Sequence, residues 1–339
     1  MYSFLNDYSE GAHPEVLKAL NDTNMQQTVG YGMDEYCQKA KDVICQRIHN
    51  SDADVHFLVG GTQTNMTFIS FALKDYQAVI ACDEGHINVH ETGSIEGTGH
   101  KVLTHPHVNG KVTIEMIQNI LDSHGDEHMV QPKMVYISQT TELGTYYTTK
   151  ELEDLYQFTQ ANDLYLFLDG ARLGSALVQS DAPSMYDIAK NTDAFYIGGT
   201  KMGALFGEAL VIMNEQLKKD FRYQLKHKGA MLAKGRLLGI QFYTLLKGNL
   251  YEEIGAYENK MAQIIRKAFM DKGFSLYETS NTNQIFVDLP IDTVRSIEEH
   301  YLVTHIKKIN SNMERIRIVT SWATSQKEAE NFAQMILSL

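Results

Sequence analysis

Short apolar runs alternate with amphipathic stretches along most of the 339-residue chain. Glycine or polar residues bound most runs, which is typical of buried strands, and several intervening stretches show the apolar spacing of helices. The predicted strands are 54–61, 78–83, 101–105, 133–138, 164–170, 194–199 and 208–213. This alternation predicts an α/β fold with a mainly parallel sheet of about seven strands covered by helices on both faces.

Helical patterns connect several of these runs. They are "TNMTFISFAL", "TIEMIQNILDSH" and "TTKELEDLYQFTQAND". In the last of them, Leu152, Leu155 and Phe158 recur at helical spacing, and Thr148 or Thr149 is the expected N-cap.

The pattern changes after about residue 214. Long helical stretches cover roughly 214–272, and the shorter apolar runs "FSLYE", "QIFVDLP" and "RIRIVTS" then precede a closing helix, "QKEAENFAQMILSL". These features predict a large domain over 1–248 and a smaller C-terminal α+β domain over 249–339.

Composition narrows the functional class. The formal net charge of −12 disfavours nucleic acid or an anionic membrane as a partner, because both require a basic face. No apolar run approaches the length of a membrane span, and the first residues lack the basic and apolar segments of a signal peptide. The three cysteines show no CxxC spacing, which favours a reducing compartment and predicts a cytoplasmic protein.

Three predicted strands end in residues suited to bind one ligand. In "FLVGGTQTN", Gly60, Gly61 and Thr62 lie between a strand and a helix, and free amides at a helix start suit a phosphate. A tight turn capped by threonine is the alternative interpretation. The segment matches neither GxGxxG nor GxxxxGK[ST], so neither a dinucleotide fingerprint nor a P-loop is indicated.

Asp169 and Lys201 end the other two strands. Asp169, in "LYLFLDGARLG", follows an apolar run and requires a cation or good donors to remain ionised; a simple ion pair with Arg172 is the alternative. Lys201, in "GGTKMG", lies among apolar residues, and burial there would lower its pKa and make its amine nucleophilic. The alternative interpretation is that the ammonium group of Lys201 extends to solvent.

Together these residues match the contacts that pyridoxal 5'-phosphate requires. A glycine-rich helix start binds its phosphate, an aspartate pairs with its pyridinium nitrogen, and a lysine reacts with its aldehyde. The charge-assisted bond from the aspartate keeps the ring protonated and able to accept electrons. The combination is more specific than any one member.

With these residues in place, the chain resembles the threonine aldolase and aromatic amino acid β-eliminating lyase family, which has the aspartate-aminotransferase-like fold (fold type I). The motifs that carry the resemblance are "GGTQTN", "CDEGHINVHETG", "FLDGARLG" and "GGTKMG", with weaker matches at "VGYGMDE" and "RIRIVTS". The resemblance covers nearly the whole chain and is strongest in the large domain. It implies a homo-oligomer, usually a dimer of dimers, with active sites shared across the dimer.

The resemblance also implies a role for each matching residue. Lys201 carries the cofactor, Asp169 contacts its ring nitrogen, and Gly61 and Thr62 hold its phosphate. It also implies that His86 stacks on the cofactor ring and that Arg172 and Arg317 bind the substrate carboxylate. Tyr31 would lie near the border between two subunits.

Two departures from the family pattern are visible. Where the family usually has His-Asn, this chain has "QTTELGT", so Glu142 or Thr141 occupies the position near the substrate hydroxyl. The "GGGMRQ" stretch is altered to "KGAMLAKGR", which leaves Lys228, Lys234 and Arg236 as candidates for a phosphate contact.

His86 and His90 could also suggest a metal site, since they are four residues apart with Glu91 beside them. The order matches neither HExxH nor HxxEH, and a third ligand is not evident. We therefore expect no metal, and interpret His86 as the residue that stacks on the cofactor ring rather than as a plain polar cap.

The expected activity is retro-aldol cleavage of threonine or allo-threonine to glycine and an aldehyde. β-Elimination on another amino acid is the second hypothesis, since the same residues would support it. A protein that binds the cofactor without turnover is the third.

Overall fold

The computed structural model describes residues 1–277 and 280–339. The strands are β1 Tyr2–Ser3, β2 Asp54–Leu58, β3 Gln77–Cys82, β4 Lys101–His105, β5 Gln131–Ser138, β6 Tyr165–Asp169, β7 Ala194–Gly198, β8 Glu208–Ile212, β9 Gln284–Pro290, β10 Tyr301–Leu302, β11 Thr304–Lys308 and β12 Met313–Val319. The first helices are α1 Pro14–Thr23, α2 Glu35–Arg47, α3 Gly61–Ala72, α4 His86–Val89, α5 Ile114–Asp122, α6 Thr149–Ala161 and α7 Leu173–Leu177. The later helices are α8 Met185–Lys190, α9 Phe221–His227, α10 Arg236–Leu246, α11 Leu250–Asp271, α12 Ile291–Glu298 and α13 Gln326–Ser338. Short 3₁₀ turns cover Glu96–Thr98 and Glu215–Leu217.

The large sheet has seven strands in the order β2-β8-β7-β6-β5-β3-β4. The prediction of a mainly parallel seven-stranded sheet is confirmed, and every predicted strand of the first 213 residues is present. β8 runs antiparallel to both of its neighbours, β2 and β7. The short β7–β8 connection explains this direction, because a parallel neighbour requires a longer crossover.

The helices α3, α5 and α6 lie where the sequence patterns predicted them. Thr148 is the N-cap of α6, and its hydroxyl accepts a hydrogen bond from the Glu151 amide while the Glu151 carboxylate accepts one from the Thr148 amide. This capping box selects Thr148 over Thr149 as the start of the helix. The core lies on both faces of the sheet, as the fully buried strands β3 and β7 require.

A second, smaller sheet has the order β11-β12-β9, and its strands are antiparallel. The predicted strands "QIFVDLP" and "RIRIVTS" are β9 and β12. The predicted strand "FSLYE" is not formed over 274–277, where Leu276 makes one isolated bridge to Val287, and Glu278 lies outside the described residues. β11 was not predicted, because its residues are mostly exposed and polar and give no apolar pattern.

The N-terminal segment joins this smaller sheet's core. β1 pairs in parallel with β10, and Phe4 is fully buried against Phe332, with 5.0 Å between the ring centroids. The chain then leads directly to Asp7, a buried partner of Arg172, and to Tyr8, which lines the cavity described below. The division at residue 248 stays a prediction.

Among the residues that the structure describes, no helix is both long and apolar enough to cross a membrane.

Candidate active site

A cavity of about 540 Å³ opens at the carboxyl edge of the large sheet. This volume lies in the range that holds small-molecule ligands and cofactors. Parallel strands bring their carboxyl ends to one edge, which is why residues far apart in sequence meet here. The predicted residues that line the cavity are Gly61, Thr62, His86, Glu142, Asp169, Arg172, Lys201 and Arg317.

One end of the cavity is the start of α3. Gly60 precedes the helix in extended backbone, and no side chain caps the first turn. The alternative interpretation of a threonine-capped turn is therefore wrong, and the amides of Gly61 and Thr62 donate to no described residue. Gly61 has little room for a side chain, because a Cβ atom there would lie 3.0 Å from the Tyr196 hydroxyl oxygen.

Asp169 is held by neutral donors at the end of β6. Its Oδ2 accepts hydrogen bonds from the Tyr136 hydroxyl at 2.5 Å and from Asn65 Nδ2 at 3.2 Å. Its Oδ1 accepts from the Ala171 amide at 3.0 Å. All three donors are neutral, and the carboxylate makes no salt bridge to a described residue. The alternative of a simple ion pair with Arg172 is therefore wrong.

Arg172 pairs instead with Asp7, 165 residues away in the chain. Its Nε and Nη2 donate to the two carboxylate oxygens of Asp7, at 2.6 and 3.1 Å. Asn283 Nδ2 also donates to Asp7, at 2.9 Å. Burial opposes the charges of this pair, but their attraction prevails and lowers the pKa of Asp7 while it raises that of Arg172. Arg172 therefore presents its remaining Nη1 edge in a fixed orientation.

Arg317 supplies a second cation beside Arg172. Its Nη2 donates to the Leu5 carbonyl at 3.3 Å, and its buried Nε has no acceptor among the described residues. Burial, followed by the charge of Arg172, lowers its pKa. A buried donor without an acceptor is costly, and an anion in the cavity would satisfy it.

Lys201 lies in the loop that follows β7. Burial and then the positive charge of Arg172 lower the pKa of its amine, against the opposing charges of Asp7, Asp169 and Glu208. Lys201 is half-buried and lines the cavity, and its role as the reactive amine stays a prediction. A lowered pKa makes the amine available as a nucleophile and as a base.

His86 and Glu142 lie together on the other side of the cavity. The Glu142 Oε1 atom accepts hydrogen bonds from the His86 amide at 2.9 Å and from the Ser138 hydroxyl at 2.7 Å. His86 Nδ1 lies 2.7 Å from the buried Oε1 of Glu91, which fixes the orientation of the ring. Burial raises the pKa of Glu142, although the Ser138 bond opposes this.

The other candidates lie outside this cavity. Tyr31 is 45% exposed and lines a separate small pocket. Lys228, Lys234 and Arg236 are not among the lining residues, and Arg236 donates to the carbonyls of Gln26 and Thr23. No cluster of three or more potential metal ligands occurs in residues 1–277 and 280–339.

Sequence reasoning missed the residues that hold the functional groups in place. They are Asp7, Asn65, Tyr136 and Glu208. Asn65 lies within the "GGTQTN" motif, and Glu208 begins a predicted strand, so each carried a weak local signal. Asp7 and Tyr136 carried none, because their partners are distant in sequence.

The donor set of the cavity fits pyridoxal 5'-phosphate. The free amides at Gly61 and Thr62 suit its phosphate, and the carboxyl group of Asp169 suits a pyridinium nitrogen. The buried amine of Lys201 suits its aldehyde. Each group lies in the same cavity, so one bound molecule can reach all of them.

Comparison with known proteins gives the same result. Residues 4–292 match the family described as beta-eliminating lyase. The chain is 28% identical over 298 residues to a low specificity L-threonine aldolase of Pseudomonas aeruginosa, with 87% of this chain and 86% of the relative covered. It is 23% identical over 325 residues to the low specificity L-threonine aldolase of Escherichia coli K12, with 93% of each chain covered.

Solved structures resemble the whole chain. Leishmania major threonine aldolase superposes with a TM-score of 0.98 at 46% identity, covering 99% of this chain and 98% of that one. Aspartate aminotransferase of Thermus thermophilus superposes with a TM-score of 0.74 at 11% identity, covering 100% and 91%, which shows the shared fold alone. The chain therefore belongs to the beta-eliminating lyase family and is a pyridoxal phosphate-dependent lyase.

Proposed function

We propose that this enzyme cleaves L-threonine and L-allo-threonine to glycine and acetaldehyde. The observation that supports this most directly is a single cavity containing Lys201, two arginines for a carboxylate, and Glu142 beside His86. The relatives named above are threonine aldolases, and the Leishmania enzyme matches nearly the whole chain.

The substrate carboxylate binds between Arg172 and Arg317. Arg172 offers its Nη1 edge, because Asp7 occupies its Nε and Nη2 atoms, and Arg317 offers its unpaired Nε. Charge-assisted bonds from two guanidinium groups fix the position of Cα and hence the bond that faces the cofactor. In this proposal Asp7 is a positioning residue that sets the orientation of Arg172.

Gly61 and Thr62 would hold the cofactor phosphate, and Asp169 would hold the ring nitrogen in its protonated form. His86 would lie against the ring face, oriented by Glu91 through Nδ1. When bound, the cofactor withdraws electrons from the substrate bond that breaks. Lys201 would hold the cofactor before substrate arrives, and its amine would then remain nearby as a base.

Glu142 is the base that we assign to the substrate hydroxyl. Its Oε1 already accepts two hydrogen bonds, whereas its Oε2 makes none to a described residue. Oε2 takes the proton of the β-hydroxyl as the Cα–Cβ bond breaks and the aldehyde forms. Its raised pKa makes the carboxylate a stronger base than an exposed glutamate. The ring of His86 stays available to orient the hydroxyl.

Product analysis tests the activity. The purified protein with added pyridoxal phosphate is incubated separately with threonine, allo-threonine, serine, tyrosine and tryptophan, and glycine, acetaldehyde, pyruvate and ammonia are measured. We expect glycine and acetaldehyde from the first two. Pyruvate and ammonia from an aromatic substrate, without glycine from threonine, would replace the aldolase assignment by β-elimination.

The assignment of the base has its own test. General-base assistance typically contributes about 10²–10⁴-fold, so Glu142→Gln should lower kcat by an amount in that range. The control is Glu151→Gln, a half-exposed glutamate on α6. An unchanged kcat in Glu142→Gln would remove Glu142 from the mechanism and leave His86 or a water molecule as the base.

We also propose a homo-oligomer, a dimer of dimers, with Tyr31 at a subunit border. The segment around Tyr31 exposes unusually many apolar side chains, namely Met25, Val29 and Met33 at 90%, 67% and 63%. Light scattering after size-exclusion chromatography measures the assembly, and a monomer at micromolar concentration would contradict it. A cytoplasmic location, supported by three free cysteines, is proposed as well and can be tested by fractionating cells.

A further inference from the structure

Glu208 occupies an unusual place at the end of the cavity assigned to phosphate. It is the first residue of β8, where it pairs with Leu58 at the end of β2 on one side and with Gly198 at the end of β7 on the other. The chain leaves β2 into the amides that begin α3, and it leaves β7 into the loop that carries Lys201. Glu208 therefore lies between the two segments that would surround the phosphate, and it lines the same cavity.

Glu208 is 3% exposed, and its carboxyl group accepts hydrogen bonds from nearby donors. Its Oε2 accepts from the Gly199 amide at 3.1 Å, and its Oε1 accepts from the Thr200 hydroxyl at 2.9 Å. The Thr200 hydroxyl would otherwise be free to donate to a phosphate, but it is already used. A carboxyl group thus occupies a position where an anion-binding site would favour a donor.

The charged and titratable groups that face Glu208 come from several elements. Lys201 follows β7, Asp169 ends β6, Tyr196 lies on β7 and Tyr251 lies on α11. Burial raises the pKa of Glu208 to about 8, with Asp169 adding to the rise, while the Thr200 and Gly199 bonds and the charge of Lys201 oppose it.

We propose that Glu208 is protonated in the cofactor-bound enzyme, so that wherever Glu208 is ionised in the free enzyme the cofactor phosphate binds together with one proton taken from solvent. A carboxylate and a phosphate dianion at the same end of a buried cavity repel each other, whereas a protonated carboxyl group can donate a hydrogen bond. The amides of α3 contribute only a partial positive charge, about half of one unit. This inference rests on the proposed phosphate site at Gly61 and Thr62.

The affinity of the enzyme for a phosphate ligand should therefore depend on pH. Below about pH 8, Glu208 is already protonated in the free enzyme, and phosphate binding requires no proton. Above that pH, each pH unit should weaken binding of the phosphate ligand by up to about tenfold, because a proton must be taken up first. The dependence ends where the carboxyl group of the bound state itself ionises.

The test uses pyridoxine 5'-phosphate, which lacks the aldehyde and therefore cannot react with Lys201. Its dissociation constant is measured by calorimetry from pH 7 to 9.5 for the wild type and for Glu208→Gln. The ligand titrates in the same way with both proteins. The dissociation constant of the wild type divided by that of Glu208→Gln therefore reports the ionisation of Glu208. We expect a ratio near one at pH 7 that rises by up to about tenfold per pH unit above pH 8.

Two further variants sharpen the result. Glu258→Gln is the matched control, because Glu258 is another fully buried glutamate and does not line the cavity. It should bind the ligand with the pH dependence of the wild type. Thr200→Val removes a hydrogen bond that favours the ionised form of Glu208, so the weakening should begin at a higher pH.

Proton uptake by the wild type gives a measurement that needs no variant. In dilute buffer with an indicator dye near pH 9, binding should take up to one proton more than at pH 7, after correction for the ligand itself. A flat ratio across the pH range, or no extra uptake, overturns the proposal. Failure of the wild type to bind pyridoxine 5'-phosphate at pH 7 would instead show that the phosphate site, and with it the proposed function, is wrong.

Discussion

The two ends of the cavity would bind anions by different physical means. At the carboxylate end, Arg172 and Arg317 provide permanent charges, and Asp7 fixes one of them through two hydrogen bonds. At the phosphate end, the start of α3 provides amides and a partial charge, with Glu208 beside them. The first arrangement is insensitive to pH near neutrality, because arginine does not titrate there, whereas the second depends on the protonation of Glu208.

The difference separates two properties of the enzyme. Changes at the carboxylate end should affect the binding and orientation of the amino acid and leave cofactor affinity nearly unchanged. Changes at the phosphate end should affect cofactor affinity and leave the binding and orientation of the amino acid nearly unchanged. Variants at each end can show whether amino acid binding and cofactor binding are separate in this way.

Among variants at the two ends of the cavity, the largest effect should come from Arg172→Ala. Loss of one partner of a buried charge pair costs about 2–5 kcal/mol, which corresponds to roughly 30-fold to 5,000-fold in kcat/KM for threonine. Part of that loss arises because Asp7 remains buried without its partner. Steady-state kinetics measure the loss, and absorbance titration measures cofactor affinity, which we expect to stay within about tenfold of the wild type. A collapse of cofactor affinity with retained kinetics would reverse the assignment of the two ends.

Asp7→Asn should have a smaller effect at the same end. The amide can still accept one hydrogen bond from Arg172 but no longer attracts its charge, so the guanidinium becomes less ordered. We expect kcat/KM to fall by about tenfold, mainly through KM, as for the loss of about 1.4 kcal/mol. Asp292→Asn, at an exposed helix start, is the control. Unchanged kinetics in Asp7→Asn would mean that Asp7 does not position Arg172.

Gly61→Ala tests the phosphate end. The added Cβ would lie 3.0 Å from the Tyr196 hydroxyl, so the start of α3 must shift by a few tenths of an ångström. We expect cofactor affinity to fall by about tenfold, corresponding to about 1.4 kcal/mol, with KM for threonine nearly unchanged in the saturated enzyme. In the Gly61→Ala, Tyr196→Phe double variant the contact is removed, and affinity should partly recover. Additive losses in the double variant would show that the contact is not the cause.

The smallest effect on activity should come from Glu258→Gln on α11. Glu258 is fully buried, and neither carboxyl oxygen has a hydrogen-bond partner among the described residues. Burial and then the negative charge of Asp7 raise its pKa well above the ordinary value of 4.5. Burial therefore favours the neutral form of this side chain, and because glutamine is also neutral it should preserve turnover.

The stability of this variant should nevertheless depend on pH. A carboxyl group with a raised folded-state pKa binds a proton in the folded state that the unfolded chain releases above about pH 4.5. The wild type therefore loses stability as the pH rises from there toward the folded-state pKa, and the glutamine variant does not. Melting temperatures should agree at pH 4 and diverge in favour of Glu258→Gln by pH 8. Parallel curves would mean that Glu258 is ionised in the folded protein.

The comparison also shows which parts of the site could be predicted from sequence. Gly61, Thr62, Asp169 and Lys201 each lie at the end of an apolar strand or within a few residues after it, and a strand pattern is visible in a few adjacent residues. A mainly parallel sheet then gathers these residues at one edge whatever the details of packing. The fold, the cofactor and the residues at the phosphate end therefore followed from short-range signals. For Arg172 and Arg317, the family resemblance was also needed.

Tertiary structure alone decided the partners and the protonation states. The pairing of Arg172 with Asp7 joins residues 165 positions apart, and a lone aspartate near the N-terminus carries no local pattern that indicates it. The antiparallel direction of β8 places Glu208 at the carboxyl edge, where a parallel strand would have placed its last residue instead. Burial by several distant elements then raises its pKa to about 8. Sequence by itself determined which chemical groups this protein has at its strand ends; the environment that sets their charge exists only once the chain has folded, because desolvation depends on atoms that are remote in sequence.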